Sequence, residues 1–155
     1  MGEILKIALK MKKQPSLREE VSLNLAVASA ILKNRFEKIV ELFGITGSQY
    51  NVLRILKGVY PEGHPRCEII IRMVDRAPDI TRLIDRLEKQ GMVKRDRTNE
   101  DRRKSITKIT EKGLKVVNDL QPLVDKEHKE LTKKLTDEDC KEISRLAEKL
   151  YEELI

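Results

Sequence analysis

Tryptophan is absent from the chain and aromatic residues make up only 3 % of it, whereas charged residues reach 37 %. Sandwich and barrel cores draw heavily on aromatic and β-branched side chains, so this composition points to a mainly helical protein. Cysteine occurs only as Cys67 and Cys140, without CxxC spacing and without a histidine cluster. A disulfide framework is therefore not expected, and a reducing cytoplasm is the expected setting. No apolar run approaches the roughly 18 residues of a membrane span, so no membrane partner is expected. The N-terminal MGEILKIALKMKKQ is basic and partly apolar. It lacks both an uninterrupted apolar region and a small-residue cleavage site, and so does not read as a signal peptide. Neither histidine lies in a Ser/His/Asp or paired-carboxylate pattern, and no Gly-rich phosphate loop is present. The expectation is a protein that is not an enzyme and carries no cofactor.

Charge is abundant, and it is unevenly placed. The 155 residues carry a formal net charge of +6. Residues 66–104 hold twelve Lys/Arg against eight Asp/Glu, a net +4, while residues 111–155 hold nine against twelve, a net −3. A basic middle followed by an acidic end suggests a localised site for a polyanion. The length suits one domain spanning 1–155.

Along the chain, residues 4–11 place Ile4, Ile7, Ala8 and Met11 on one helical face opposite lysines. This arm reads as packing on its own protein or on a partner subunit rather than lying on a membrane surface. Ser16 with Glu19 forms a capping box, opening a helix to about Phe43 that ends at Gly44. That helix is apolar on more than one side, which predicts burial on two faces. Thr46 with Gln49 forms another capping box, opening a helix through Leu53 and Leu56 to about Val59. The segment from Pro61 to Pro65 reads as a loop, and Glu68 to Asp75 as a short helix.

The stretch from Pro78 to Thr110 follows. Ile80, Leu83, Ile84 and Leu87 have the spacing of one helix face, and the opposite face carries Arg82, Asp85 and Lys89, flanked by Thr81 and Arg86. Pro78 suits a first helical position, and Gly91 a left-handed C-cap. Met92 and Val93, a charged polar turn, and a second β-like run through Ile106 and Ile109 make a basic hairpin. Two short helices and a hairpin are the outline of a winged helix-turn-helix. Thr110-Glu111-Lys112-Gly113 ends the hairpin and begins a long helical stretch, with Leu114, Val117, Leu120, Val124 and Leu131 in its stripe, and Pro122 is expected to kink or split it. Thr136 and the acidic residues behind it open a last helix with Ile143, Leu146, Ala147, Leu150 and Leu154 on one side. The fold class is thus mainly α with a small β-hairpin wing. Residues 45–110 form the DNA-binding part, and 1–44 and 111–155 a helical dimerisation part.

The order and spacing of several motifs resemble the MarR family of transcriptional regulators over roughly residues 16–150. They are Leu42-Phe43-Gly44-Ile45-Thr46, Gln49-Tyr50-Asn51-Val52-Leu53, Asp79 through Gly91, Asn99-Glu100-Asp101-Arg102-Arg103 and Ile109-Thr110-Glu111-Lys112-Gly113. The resemblance implies a homodimer built from the first, fifth and sixth helices of that fold. Its recognition helix, about 78–90 here, enters a major groove of double-stranded DNA, and its wing, about 92–109, enters a minor groove. A palindromic operator follows from the two-fold symmetry. The family's members are typically repressors released by a small lipophilic or phenolic effector, or by an oxidant. The resemblance places Thr81, Arg82, Arg86, Lys89, Arg102 and Arg103 at the DNA, with Asp101 supporting the wing arginine. Ile143, Leu146 and Leu150 fall in the dimer interface. Two positions depart from the family. The residue before Ile80, commonly Ser or Thr, is Asp79, which repels a phosphate or serves the helix dipole. The preceding helix carries three isoleucines in place of small residues.

Plainer readings stand beside these. The arginines and Lys89 also admit a solvated face balanced by Asp85, Glu88 and Asp101, but a basic helix followed directly by a basic hairpin favours the DNA reading, with Asp85 bracing an arginine rather than reading a base. A winged helix also serves as a protein-interaction module without sequence-specific DNA binding. Cys67, beside Arg66 and near His64, admits a thiol-based redox sensor, but an ordinary, partly buried cysteine is the better reading, since the family's peroxide sensors carry theirs in the first helix, where this chain has none. His64, Cys67 and Glu68 lack a second cluster at ligand spacing, so no metal site is expected.

Overall fold

The structure is a computed structural model and describes residues 2–75, 79–97 and 105–154. In chain order it runs α1 (Glu3–Leu9), α2 (Leu17–Glu41), α3 (Gly47–Lys57), β1 (His64–Pro65), α4 (Arg66–Arg72), α5 (Ile80–Lys89), β2 (Val93–Arg97), β3 (Ser105–Ile109), α6 (Glu111–Thr132) and α7 (Asp137–Glu148). A single 3₁₀ turn, Glu152–Leu154, follows α7. The architecture is mainly helical with one small antiparallel sheet of order β1-β3-β2. Among the described residues, no helix is long and apolar enough to cross a membrane.

The helix starts follow from local chemistry. Ser16, Thr46 and Thr136 each accept the backbone N–H three residues on, and the side chains of Glu19, Gln49 and Asp139 return to the cap residue's own N–H. Each reciprocal cap satisfies two donors that a helix start otherwise leaves open. In α7 these bonds from Thr136 hold the Asp139 carboxyl below its ordinary range.

One apolar core ties the middle of the chain together, with α3 at its centre. Val52, Leu53 and Leu56 are fully buried and pack with Ile69 of α4, Ile84 and Leu87 of α5, and Val117 and Leu120 of α6. Val40 at the end of α2 and Ile109 of β3 close the cluster. The α5 apolar stripe read from the sequence is the buried face of that helix, with Leu83 half-buried at its edge.

Several expectations are corrected. The segment read as a loop contains β1, which pairs with β3 through His64 opposite Thr107 and Pro65 opposite Ile106. Two residues are too short to show a period. The helix expected over 68–75 is α4, shifted toward the N-terminus. It stops where Met73 turns to extended geometry and enters the core, and Asn51 Oδ1 accepts the freed N–H of Val74 at 3.1 Å. Pro122 does not split α6, which continues through it. One proline removes a single backbone bond, and Leu120 and Val124, buried on either side of it, pin both halves to the same core.

The largest difference concerns α2, expected to be buried on two faces. Over its 25 residues only Glu20 and Val40 are buried, while Val21, Leu25, Ile31 and Leu32 are exposed. In α1 it is Leu5 that anchors the helix, and Ile4 and Ile7 lie open. No residue of α7 is buried: Ile143 and Leu146 are 53 % and 47 % exposed, and Leu150, just past the helix end, is 58 % exposed. The apolar faces are real, but one copy of the chain does not cover them.

Candidate nucleic-acid interface

The interface is built on α5, and its residues separate cleanly into buried and presented sets. With Ile80, Ile84 and Leu87 turned into the core, Thr81, Arg82, Arg86 and Lys89 are exposed along the other side. Asp79 is the N-cap, its Oδ1 accepting the Arg82 N–H at 3.2 Å. Pro78, expected in the first turn, lies outside the described residues.

The far end closes with the geometry expected of Gly91. Gly91 has φ +71°, a left-handed conformation that favours glycine. Its N–H donates to the Glu88 carbonyl and that of Met92 to the Leu87 carbonyl, both at 2.9 Å. The chain then enters the wing, with Val93 opposite Ile109 and Arg97 opposite Ser105 in register with β3.

The balancing role expected of Asp85 and Glu88 is only partly right. Both carboxylates are engaged by Arg95 of β2, which bonds Asp85 through Nη2 and lies 3.1 Å from Glu88 through Nη1. Asp85 thus braces an arginine, as read from the sequence, and the arginine belongs to the wing. Lys108 and Asp96 pair across the two strands at 2.8 Å, which holds the Asp96 carboxyl below its ordinary range. Among the described residues neither Arg86 nor Lys89 has a carboxylate partner, whereas Arg82 pairs with Asp79. The acids of this region therefore fasten the wing root, leaving positive charge on the presented face. Arg102, Arg103 and Asp101 lie outside the described residues.

One contact had no sequence signal. Arg66, the first residue of α4, donates from Nη1 to the Thr81 hydroxyl at 3.0 Å. The two residues are fifteen apart and meet only because α4 and α5 fold back on one another. Arg66 joins the basic face as a residue the motif reading missed. Cys67, its neighbour, is exposed rather than partly buried.

The Thr110-Glu111-Lys112-Gly113 motif also acquires a physical role. Thr110 caps α6 by accepting the Gly113 N–H, and its hydroxyl donates to the Gly91 carbonyl at 2.7 Å. Lys112 Nζ donates to the Gln90 carbonyl at 2.7 Å, and the Tyr60 hydroxyl donates to Glu111 at 2.9 Å. A side chain at Gly113 would run into the Met92 carbonyl. Thr110, Lys112 and Gly113 hold the start of α6 against the end of α5, and Glu111 ties it to the turn after α3.

Behind this face lies a cleft of about 660 Å³ between α2, α3, α6 and the residues after α4. Its apolar walls include Leu32, Phe36, Tyr50, Val124 and Leu131, with Met73 and Val74 closing one side. Phe36 and Tyr50 meet edge to face with ring centroids 5.4 Å apart, and burial pushes the Tyr50 hydroxyl pKa up. Lys33 of α2 pairs with Asp75 at 3.4 Å, and Arg35 with Glu127 of α6, both at the cleft's margin.

Comparison with known proteins agrees with this geometry. A family model described as transcriptional regulator SarA/Rot matches residues 34–120. The HTH-type transcriptional regulator YwoH of Bacillus subtilis is 30 % identical over 119 residues, covering 77 % of this chain and 85 % of that protein. A solved MarR transcription factor from Planctomyces limnophilus is 38 % identical, covers 88 % of this chain and 98 % of its own, and superposes with a TM-score of 0.70. A MepR–DNA complex from S. aureus, 21 % identical, shares the fold at a TM-score of 0.76, covering 90 % of this chain and all (100 %) of its own.

Arg95→Met keeps the aliphatic stem and removes both ion pairs to α5. The expected outcome is a loss of DNA affinity of about three- to tenfold, from two partly exposed pairs, with a nearly unchanged thermal midpoint. Fluorescence anisotropy on labelled duplex and a melting curve check the two halves separately.

Proposed function

Because the chain belongs to the SarA/Rot and MarR group of winged-helix transcriptional regulators and is a DNA-binding regulator, we propose that it works as a homodimeric, ligand-responsive repressor on a palindromic operator. The observation that carries the DNA half is the face of α5, where Thr81, Arg82, Arg86 and Lys89 are presented while the helix's other acids are held by the wing. An arginine fork matches the paired acceptors of guanine in the major groove. On the motif alone, Arg102 and Arg103 are assigned the minor-groove contact, where narrow A·T-rich DNA concentrates negative potential, with Asp101 as the support of the wing-tip arginine Arg103.

The open apolar faces support the homodimer. Leu146 and Ile143 on α7 with Leu150 just past its end, together with the exposed stripes of α1 and α2, offer more apolar surface than a soluble monomer usually leaves in water. A two-fold arrangement buries these helices against their copies and places two copies of α5 on one side of the dimer.

The cleft supports the effector. It is largely apolar, is walled by both dimerisation helices and the residues leading toward α5, and has Lys33, Arg54 and His128 at its edge. That combination suits a small lipophilic or phenolic molecule with an acidic group. A ligand wedged there changes the separation between α2 or α6 and the recognition helix, and hence the fit to two successive grooves.

Three outcomes are expected. In gel-shift titrations on a palindromic fragment selected from random DNA, binding falls steeply with salt, and Arg103→Ala weakens it strongly without unfolding the protein. Unchanged affinity of that variant removes the wing from the reading, and no DNA binding even at low salt favours an interaction module. Leu146→Asp shifts the sedimenting species from dimer to monomer, since a charge in an apolar interface is strongly unfavourable; a variant that stays dimeric moves the interface elsewhere. With no tryptophan to mask it, tyrosine emission should change on titration with phenolic acids that also release the operator, and Tyr50→Phe should reduce that change.

A further inference from the structure

Asp79 is the residue at which this chain departs from the family's usual Ser or Thr, and both of its carboxylate oxygens are engaged by one residue. Oδ1 accepts the Arg82 backbone N–H at 3.2 Å, while Oδ2 lies 2.9 Å from the Arg82 side-chain Nε. The first contact is an ordinary helix cap that serine, threonine or asparagine would also make. The second requires a carboxylate. It occupies Nε and leaves the two terminal Nη groups of Arg82 facing outward, in a side chain that is 79 % exposed.

Two consequences follow from that arrangement. A free arginine at the start of a recognition helix can turn to the nearest phosphate, where it adds affinity for every sequence alike. An arginine held through Nε keeps its paired Nη donors, the pair that matches O6 and N7 of guanine. The Asp79 charge also offsets that of Arg82, so the pair together gains little from the phosphate backbone. A neighbouring tie strengthens the effect: Arg66 holds the Thr81 hydroxyl at 3.0 Å, which fixes the next side chain on the same turn.

We propose that Asp79 is a specificity-determining positioning residue, holding Arg82 for a base edge and withholding it from the DNA backbone. This rests on the reading of α5 as the recognition helix. It reverses the role that the sequence alone suggested for Asp79: a group that repels DNA is, in this position, one that makes binding selective by weakening attachment to arbitrary sequence.

Asp79→Asn separates the two roles, because asparagine caps a helix as well as aspartate does. The full-length protein and the variant are titrated by anisotropy against a selected palindromic operator and a shuffled duplex of equal length, across a series of salt concentrations. A melting curve verifies that the fold is kept. The variant should bind the shuffled duplex more tightly, and the ratio of operator to shuffled affinity should fall about fivefold or more, the low end for one bidentate base contact. The salt dependence on the shuffled duplex should steepen by about two in slope, one extra phosphate neutralised per subunit. Adding Arg82→Ala to the variant should remove these gains. An unchanged ratio overturns the proposal, and so does a gain that persists without Arg82, since loss of repulsion alone would then explain it. If Arg82→Ala abolishes operator recognition while Asp79→Asn leaves the ratio unchanged, this inference fails and the recognition-helix reading stands. Wild-type protein that does not distinguish the two duplexes overturns that reading, and this inference with it.

Discussion

The C-terminal corner of α5 is the constraint on which the orientation of the DNA-binding face depends. A helix ends with carbonyls that have no partner within it. Those of α5 are taken up by the N–H groups of Gln90, Gly91 and Met92, and the carbonyls that follow are taken up by groups from the rest of the chain. Lys112 bonds the Gln90 carbonyl, the Thr110 side chain bonds that of Gly91, and the Thr110 N–H bonds that of Met92. From the other side, the Gln90 side chain donates to the Gly44 carbonyl just beyond α2. Each bond contributes on the order of 1 kcal/mol net, so the sum is modest beside the core. The geometry matters more than the sum. The turn after α2 and the start of α6 both bond the end of the recognition helix, so this corner fixes α5 against two other parts of the chain.

Charge is partitioned around that corner in a way the net total conceals. The acids nearest the basic face fasten protein to protein: Asp85 and Glu88 to Arg95, Asp96 to Lys108, Glu111 to Tyr60. Arg86 and Lys89 have no such partner among the described residues, and Arg82 is held by an acid on its own turn. Isolated surface ion pairs contribute little to stability. Their use here is directional: they orient β2 against α5, so that helix and wing present one surface.

Legibility followed range. The capping boxes at Ser16 and Thr46, the buried stripe of α5 and the cap at Gly91 each depend on residues within a few positions, and local chemistry decides them. The pairing of His64 with Thr107, the bond from Arg66 to Thr81 and the tie of Arg95 to two carboxylates are set by tertiary folding and leave no spacing to read. The α2 helix shows a third case. Its apolar pattern was visible, but a pattern states only that a face avoids water, not which surface covers it. Val40 is covered by the chain's own core, while Leu25 and Ile31 await another. At α1 the periodic face with Ile4 and Ile7 stays open in one copy, and the non-periodic Leu5 is the residue that docks the arm. The wing-tip assignments, Asp101, Arg102 and Arg103, rest on the motif alone.

Magnitudes decide how a ligand in the cleft could act on α5. Lowering operator affinity a hundredfold requires a ligand that prefers the non-binding arrangement by about 2.7 kcal/mol. The Lys33–Asp75 pair spans α2 and the segment after α4, but both partners are largely exposed. Pairs of that kind contribute about 0–1 kcal/mol, so breaking it is not enough. Apolar contact is sufficient: at about 25 cal/mol per Å², roughly 110 Å² of surface buried in only one arrangement supplies the difference. Phe36 and Tyr50 line one side of the cleft and Met73 and Val74 another. The second pair leaves α4 in extended geometry, held by a bond from Val74 to Asn51 of α3. A ligand that parts these walls would displace residues 73–75 from α2, whose end is tied to the recognition helix through Gly44 and Gln90.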